Sequence, residues 1–185
     1  LIRQAKKDGL NVTCETAPHY FSLTEDDMID YDAKYKVNPP LRTKEDKEAI
    51  IEGLKDGTID VIATDHAPHT VHEKMLPIQN APMGIAGFET ALGVTLTYLV
   101  HSGRLTFMEA IKKLTSSPAD ILKIKNQGTI EVGKNANLTV IDENKEWEVD
   151  ASIFKSKCRI SPFDKKKLKG KAIMTIINGK ITEIG

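Results

Sequence analysis

The residues best suited to chemistry cluster between positions 63 and 74, in the sequence Ala-Thr-Asp-His-Ala-Pro-His-Thr-Val-His-Glu-Lys. Asp65 follows the short β-branched run 60–64, which is typical of a strand covered on both faces. A carboxylate there is costly to desolvate unless a cation or donor meets it. Because ligands bind at the carboxyl-terminal rim of parallel sheets, Asp65 is the leading candidate for a catalytic base and a metal ligand. A helix cap or a buried ion pair is the alternative.

Two histidines near Asp65 could serve the same site. His69 follows Pro68, which stiffens the loop, and could donate a hydrogen bond to an anionic substrate; a loop histidine bonded to backbone is the alternative. His66 is predicted to hold residues that contact the ligand in place without contacting it itself. His72 is predicted to be exposed. Since zinc takes three or four ligands and the chain has five histidines, these residues do not assemble a complete metal centre.

Three further polar residues could line a site. Asn38 precedes two prolines, which hold its backbone extended, so its amide could meet a substrate's polar edge unless it forms an Asx-turn. Arg42 could bind a carboxylate, although pairing with Asp46 or Glu45 is the stronger expectation. His19 ends the first predicted strand and is either a ligand by position or a buried, hydrogen-bonded histidine.

The segment 81–87, Ala-Pro-Met-Gly-Ile-Ala-Gly, is predicted to open a helix. Backbone amides at a helix start stabilise anions, and glycines let a ligand approach the main chain closely. The main chain at Met83 and Gly84 is therefore a candidate substrate contact. Plain helix entry is the alternative.

The elements that must position these residues alternate between strand and helix. Strands are predicted over 11–16 and 60–65, and helices over 43–57, 84–101 and 106–123. This order predicts an α/β fold of parallel β/α units, but two strands cannot close a barrel alone. From about Gly128 the pattern changes to strands over 128–130, 137–142 and 172–181, the last with an Asn178-Gly179 hairpin turn. The predicted units are therefore 1–125 and 126–185.

Composition excludes several classes of protein. The formal net charge is zero and the basic residues are scattered, so nothing favours nucleic-acid binding. Four lysines within 165–169 indicate a solvated loop rather than a phosphate site. Cys14 and Cys158 suggest no disulfide framework, which favours a reducing, cytoplasmic compartment. No apolar run reaches membrane length. The chain opens without methionine and inside a predicted helix, which predicts a piece of something longer.

The segment Ala63–His69 together with Lys74 resembles the second signature of dihydroorotases, within the amidohydrolase superfamily. Segments 37–42 and 81–90 are similar to further blocks of the bacterial long-chain type, although members commonly have phenylalanine where Met83 stands. Hydantoinases and allantoinases share the strand-end aspartate but usually lack the Ala-Pro-His that follows it here. The implied fold is a (β/α)8 TIM-like barrel, of which this chain supplies the last two β/α units, followed by part of a small β-sandwich.

The resemblance implies reversible cyclisation of N-carbamoyl-L-aspartate to L-dihydroorotate in pyrimidine synthesis, with one or two zinc ions. Asp65 would bind one metal and carry a proton from attacking water to the leaving amide nitrogen. Asn38, His69 and the main chain at Met83 and Gly84 would hold the substrate. The remaining motifs, including His-x-His-x-Arg and the later metal-binding histidines, have no counterpart here, and His19 does not replace them. The chain alone is therefore expected to be inactive.

The resemblance also implies a set of partners. Besides the small-molecule substrate, these are the missing amino-terminal half, a second copy in a homodimer, and aspartate transcarbamoylase; neither nucleic acid nor membrane is expected. Two alternatives stay open at this point. The chain could belong to a hydantoinase or allantoinase, or to a non-catalytic homologue that acts in assembly.

Overall fold

A computed structural model describes residues 1–183, and its core lies where helices pack around a short pair of parallel strands. Strand β1 (Glu15–Thr16) pairs with β2 (Val61–Ile62). Both are shorter than predicted, although a hydrogen bond from Ala63 N to the Thr16 carbonyl oxygen at 2.9 Å continues the pairing past β2. The parallel arrangement of the two strands is as expected.

Within residues 1–183, seven α-helices precede, connect or follow these strands: α1 (Ile2–Lys7), α2 (Pro18–Ser22), α3 (Lys44–Lys55), α4 (Val71–Lys74), α5 (Ala91–Thr95), α6 (Phe107–Leu114) and α7 (Ser116–Ile121). Short 3-10 turns cover Glu25–Asp27, Ile29–Tyr31, Ala33–Tyr35 and Ala151–Ile153. The predicted starts of two helices are confirmed. Thr43 caps α3 by accepting from Asp46 N, and Thr106 forms a capping box with Glu109 at α6, which satisfies amides that lack a helical partner.

The predicted helix over 84–101 is wrong in its first part. The α-helix begins at Ala91 and continues as a π-helical segment, Leu96–Val100. Residues before Ala91 run beside the segment that follows β2, where Ile85 forms an isolated parallel bridge with His66. The amides of Gly87 and Phe88 are bonded to the His66 ring, so tertiary contacts replace the first turns of the helix.

The last part of the chain forms an antiparallel sheet in the order β3 (Leu138–Glu148), β4 (Lys167–Ile177) and β5 (Lys180–Glu183). The predicted hairpin is confirmed, because Asn178 and Gly179 both adopt positive φ, at 50° and 79°, as a type I′ turn requires. No strand forms over 128–130, so that prediction is wrong. Residues 184 and 185 of the predicted second unit lie outside the described residues.

The sheet packs on the rest of the molecule through the end that holds Trp147 and Leu168. Leu168 on β4 is buried in the same core as Val94 of α5, and the Trp147 indole N–H donates to the Gly170 carbonyl oxygen at 3.0 Å. Gly93 allows α5 to pack closely against the sheet, since a Cβ there would lie 2.8 Å from the Trp147 ring. None of the helices in the described part of the chain combines the length and apolar character needed to cross a membrane.

Candidate active site

Asp65 lies at the carboxyl end of β2, three residues after the strand stops. Its φ is 48°, a left-handed conformation that aspartate tolerates better than most residues. The side chain is 51% exposed, and no hydrogen bond from residues 1–183 reaches its carboxylate. The carboxylate is therefore not desolvated among residues 1–183, and Asp65 caps no helix there. The basic group nearest to it is His19, with Nε2 3.8 Å from Asp65 Oδ2.

His19 is 2% exposed on α2, behind Asp65. Burial lowers its pKa to about 4, because desolvation disfavours the charged imidazolium. The ring is thus neutral near pH 7 and forms no strong ion pair with Asp65. Its buried Nε2 has no hydrogen-bond partner among the described residues, so the expected hydrogen-bonded histidine is not found at that atom.

A cavity of about 570 Å³ brings Asp65 and Asn38 to the same surface. Tyr20 also lines this cavity and donates its hydroxyl to the Pro39 carbonyl oxygen at 2.8 Å. Burial, with a smaller contribution from the Asp65 carboxylate, raises the pKa of Tyr20 to about 12. Arg42 also lines the cavity, where its Nε pairs with Asp46 Oδ2 at 3.3 Å, as expected.

His69, Met83 and Gly84 form a second group that does not line this cavity. The His69 ring contacts the Met83 carbonyl oxygen through Nε2 at 3.0 Å, which matches the backbone-bonded alternative. Since a carbonyl only accepts, Nε2 carries the proton and donates. Gly84 has a φ of 146°, and a Cβ there would overlap the Ala67 carbonyl oxygen. Glycine is thus required for the segments of His69 and Met83 to approach each other.

The expectation of free helix-start amides at 81–87 is wrong. Gly84 N donates to the Lys36 carbonyl oxygen at 2.9 Å, and the helix begins seven residues later. His66 binds the main chain of the facing segment: its Nδ1 accepts from Gly87 N at 3.1 Å and Phe88 N at 3.2 Å. Its ring also stacks on Phe88 with centroids 3.8 Å apart.

Three residues that shape these groups, Tyr20, Lys36 and Lys74, carry no local signal of their contacts, although Lys74 belongs to the signature that the chain resembles. Tyr20 follows His19, whose residue type and position after a strand made it the more obvious candidate. Lys36 and Lys74 are lysines, which are seldom buried, yet Lys74 is 4% exposed. No local pattern marks a lysine that will bind main-chain oxygens, because the acceptors come from other segments.

The donor side chains of the described residues do not form a complete metal site. In the described range 1–183, no group of three or more His, Cys, Asp or Glu side chains could hold an ion. Asp65 nevertheless offers a carboxylate free of hydrogen bonds beside a neutral histidine. Such a carboxylate suits a cation, so this chain fits the role of donating one ligand.

Residues 1–182 match the amidohydrolase family. A dihydroorotase of Syntrophotalea carbinolica is 53% identical over 182 residues, which are 98% of this chain and 42% of that protein. A dihydroorotase of Acetivibrio thermocellus is 52% identical over 181 residues, again 98% and 42%. The chain thus spans about two fifths of the length of these relatives.

Similar solved structures include an L-hydantoinase (dihydropyrimidinase) from Arthrobacter aurescens. Its TM-score is 0.90 with 34% identity, over 98% of this chain and 41% of that one. A dihydropyrimidinase from Brevibacillus agri has a TM-score of 0.89 with 24% identity, over 97% and 41%. The second likeness concerns the fold alone.

Proposed function

Because the chain belongs to the amidohydrolase family, we propose that it is the carboxyl-terminal portion of a dihydroorotase. The observation that carries this proposal is identity of about half to dihydroorotases across nearly the whole chain. The L-hydantoinase of known structure is less similar, at 34%. The full-length enzyme would interconvert N-carbamoyl-L-aspartate and L-dihydroorotate.

Asp65 is the proposed general base and metal ligand. Its half-exposed carboxylate is accessible from the cavity, and a base must reach the proton that it abstracts. In the hydrolytic direction, Asp65 takes a proton from the attacking water and passes it to the departing amide nitrogen. The neutral His19 ring behind it forms no strong ion pair that would hold the carboxylate away from the substrate.

Asn38, His69 and the main chain at Met83 and Gly84 are the proposed substrate contacts. Asn38 is exposed beside Asp65 in the cavity wall. His69 donates its Nε2 proton to Met83, so it can also donate to a substrate carboxylate only when Nδ1 is protonated. At Gly84 both backbone groups are already bonded, so its proposed contribution is close approach rather than a free amide.

Family membership implies a metal cofactor, and zinc is the proposed ion. When bound, it supplies a Lewis acid that polarises a carbonyl and acidifies water. From this chain Asp65 would hold it; the other ligands would come from outside the residues present here. The chain alone would then be inactive.

The architecture proposed for the full-length enzyme is a (β/α)8 barrel in which β1 and β2 are the last two strands. In such barrels the carboxyl ends of the strands carry the catalytic groups, which agrees with the position of Asp65. The sheet β3–β5 would belong to a β-sandwich beginning near residue 126. A homodimer, an association with aspartate transcarbamoylase and a cytoplasmic location remain predictions.

Turnover by the full-length protein tests the proposal. Purified enzyme with zinc would be given L-dihydroorotate, hydantoin and allantoin in parallel, and ring opening would be followed for each. We expect dihydroorotate to be preferred by kcat/KM. Preference for hydantoin would favour the hydantoinase alternative, and no turnover of any ring would favour a non-catalytic homologue.

A further inference from the structure

Lys74 is buried at the end of α4 with its ammonium group among main-chain oxygens. Its Nζ donates to the carbonyl oxygens of Gly84 at 2.9 Å, Pro82 at 3.2 Å and Lys36 at 3.3 Å. The side chain is 4% exposed, and burial lowers its pKa. Three acceptors nevertheless require three N–H donors, which only the charged ammonium form supplies.

Lys36 is bonded in the same way to the neighbouring stretch. Its Nζ donates to the carbonyl oxygens of Ile78 at 2.6 Å, Ala81 at 2.7 Å and Gln79 at 3.3 Å. The two side chains together bind six main-chain oxygens between Lys36 and Gly84. The path of the chain from 78 to 84 is therefore fixed by two lysines rather than by a helix or strand.

Lys74 is connected to His69 through the main chain on either side of Met83. Pro82 and Gly84 flank Met83 and are both bonded to Lys74, and Met83 itself accepts the His69 Nε2 proton. The direction of the Met83 carbonyl sets the rotation of the His69 ring. The lysines thus act on the ring through the main chain, as positioning residues.

The positive charges of Lys36 and Lys74 are not neutralised by a paired carboxylate among residues 1–183. Neither ammonium group forms an ion pair with any carboxylate of residues 1–183. The acidic groups that act on Lys74 are Cys158 and then Asp32, and Asp32 is already paired with Lys34 at 3.0 Å. Carbonyl dipoles solvate an ammonium group but do not cancel its charge, and a partly buried charge is screened less than an exposed one.

We propose that Lys36 and Lys74 determine substrate specificity, by positioning His69 and by providing a positive potential that favours rings bearing a carboxylate over uncharged rings. This inference rests on the proposed function, because it names what distinguishes dihydroorotate from hydantoin at the same site. Potentials of this kind favour ligands of opposite charge. Both contributions act without direct contact between lysine and substrate.

The test uses full-length enzyme with Lys74→Gln, which retains hydrogen-bond donors but removes the charge. Lys113→Gln is the control, since Lys113 is partly buried and, like Lys74, donates to a carbonyl, that of Ile59 at 2.7 Å. Binding constants of orotate and uracil, the same ring with and without a carboxylate, would be measured as competitive inhibition at low and high salt. We expect the preference for orotate to fall about tenfold in Lys74→Gln, equivalent to about 1.4 kcal/mol.

The same variant should raise KM for dihydroorotate more than it lowers kcat, and the salt dependence of KM should become weaker. Lys113→Gln should leave the orotate preference within twofold of wild type. Equal losses for orotate and uracil in Lys74→Gln would overturn the specificity role and leave a structural one. If Lys74→Gln does not fold, the ratio of the orotate and uracil binding constants would be measured in Lys36→Gln, which alters a less buried side chain. The same fall in the preference for orotate is expected there.

Wild-type turnover of dihydroorotate is measured first. Its absence would overturn the proposed function and this inference with it. Turnover accompanied by an unchanged ratio of the two binding constants would overturn the inference alone.

Discussion

The segment from Ala63 to Phe88 and the outer part of the sheet, residues 138–142 and 171–182, are ordered by different means. The first has little regular structure, yet hydrogen bonds between its main chain and the side chains of His66, His69 and Lys74 fix its course. The second is regular, but none of its residues is fully buried. In this chain, side-chain bonds to the main chain fix the site, and secondary structure alone does not create a core.

Removing the Asp65 carboxylate should have the largest effect and should separate chemistry from stability. Asp65→Asn in the full-length enzyme is expected to lower kcat for dihydroorotate by about 10²–10⁴-fold, the usual contribution of a general base. Because the side chain is half exposed and has no hydrogen bond from the described residues, unfolding free energy should change by less than about 0.5 kcal/mol. Kinetics and thermal unfolding measure both, with Asp26→Asn as the exposed control. Near-normal rates would show that Asp65 is not the base.

Two glycine substitutions compare the regions directly. Gly84→Ala places a Cβ against Ala67, 2.8 Å from its Cβ, whereas Gly179→Ala in the hairpin meets nothing within 4 Å. Both glycines have positive φ, so each change costs about 1–2 kcal/mol of backbone strain. The overlap should add about 1–3 kcal/mol at Gly84 alone. Urea unfolding measures the loss of unfolding free energy in each variant. Equal losses would mean that the structure around Ala67 shifts to accept the new Cβ at no cost in stability.

Acid should weaken the site region through His19. Folding holds the pKa of His19 at about 4, below its usual value near 6.5. The unfolded chain therefore binds this proton first, so stability is complete above about pH 6.5 and falls as the pH drops toward 4. The loss should reach about 3 kcal/mol. Comparing unfolding free energies of wild type and His19→Gln from pH 7 to 4 isolates it, with exposed His72→Gln as control; parallel curves would contradict the assignment.

The smallest effect is expected on the outer sheet. Ile181 is 65% exposed, while Leu168, on the inner end of β4, is 2% exposed. Ile181→Thr should change unfolding free energy by less than about 0.5 kcal/mol, whereas Leu168→Ala should cost about 2–5 kcal/mol. Denaturant titrations of this chain would check both. A large loss at Ile181 would show that the outer sheet contributes more to folding than its exposure indicates.

Local signals in the sequence were sufficient where a short segment determines its own structure. The Thr43 cap, the Thr106–Glu109 capping box and the Asn178-Gly179 turn each depend on residues within four positions of one another. The structure has all three. The pairing of Arg42 with Asp46 is also an interaction of near neighbours.

Prediction failed where distant segments compete for the same main-chain groups. Residues 84–90 have a helical apolar pattern, but His66 takes the amides of Gly87 and Phe88 and Lys74 takes the Gly84 carbonyl. For the candidate site, the position of Asp65 after a strand is the local signal that predicts its role, and that role stays a prediction. Its exposure and the neutral His19 beside it depend on packing that no local pattern encodes.

The six oxygens around Lys36 and Lys74 all belong to the main chain, and this has a consequence for how the loop can change in evolution. A peptide carbonyl is present whatever side chain its residue carries. Ile78 and Gln79 can therefore be exchanged without loss of an acceptor, while the two lysines have no local substitute. The loop can diverge in sequence and keep its course, provided that both cations persist.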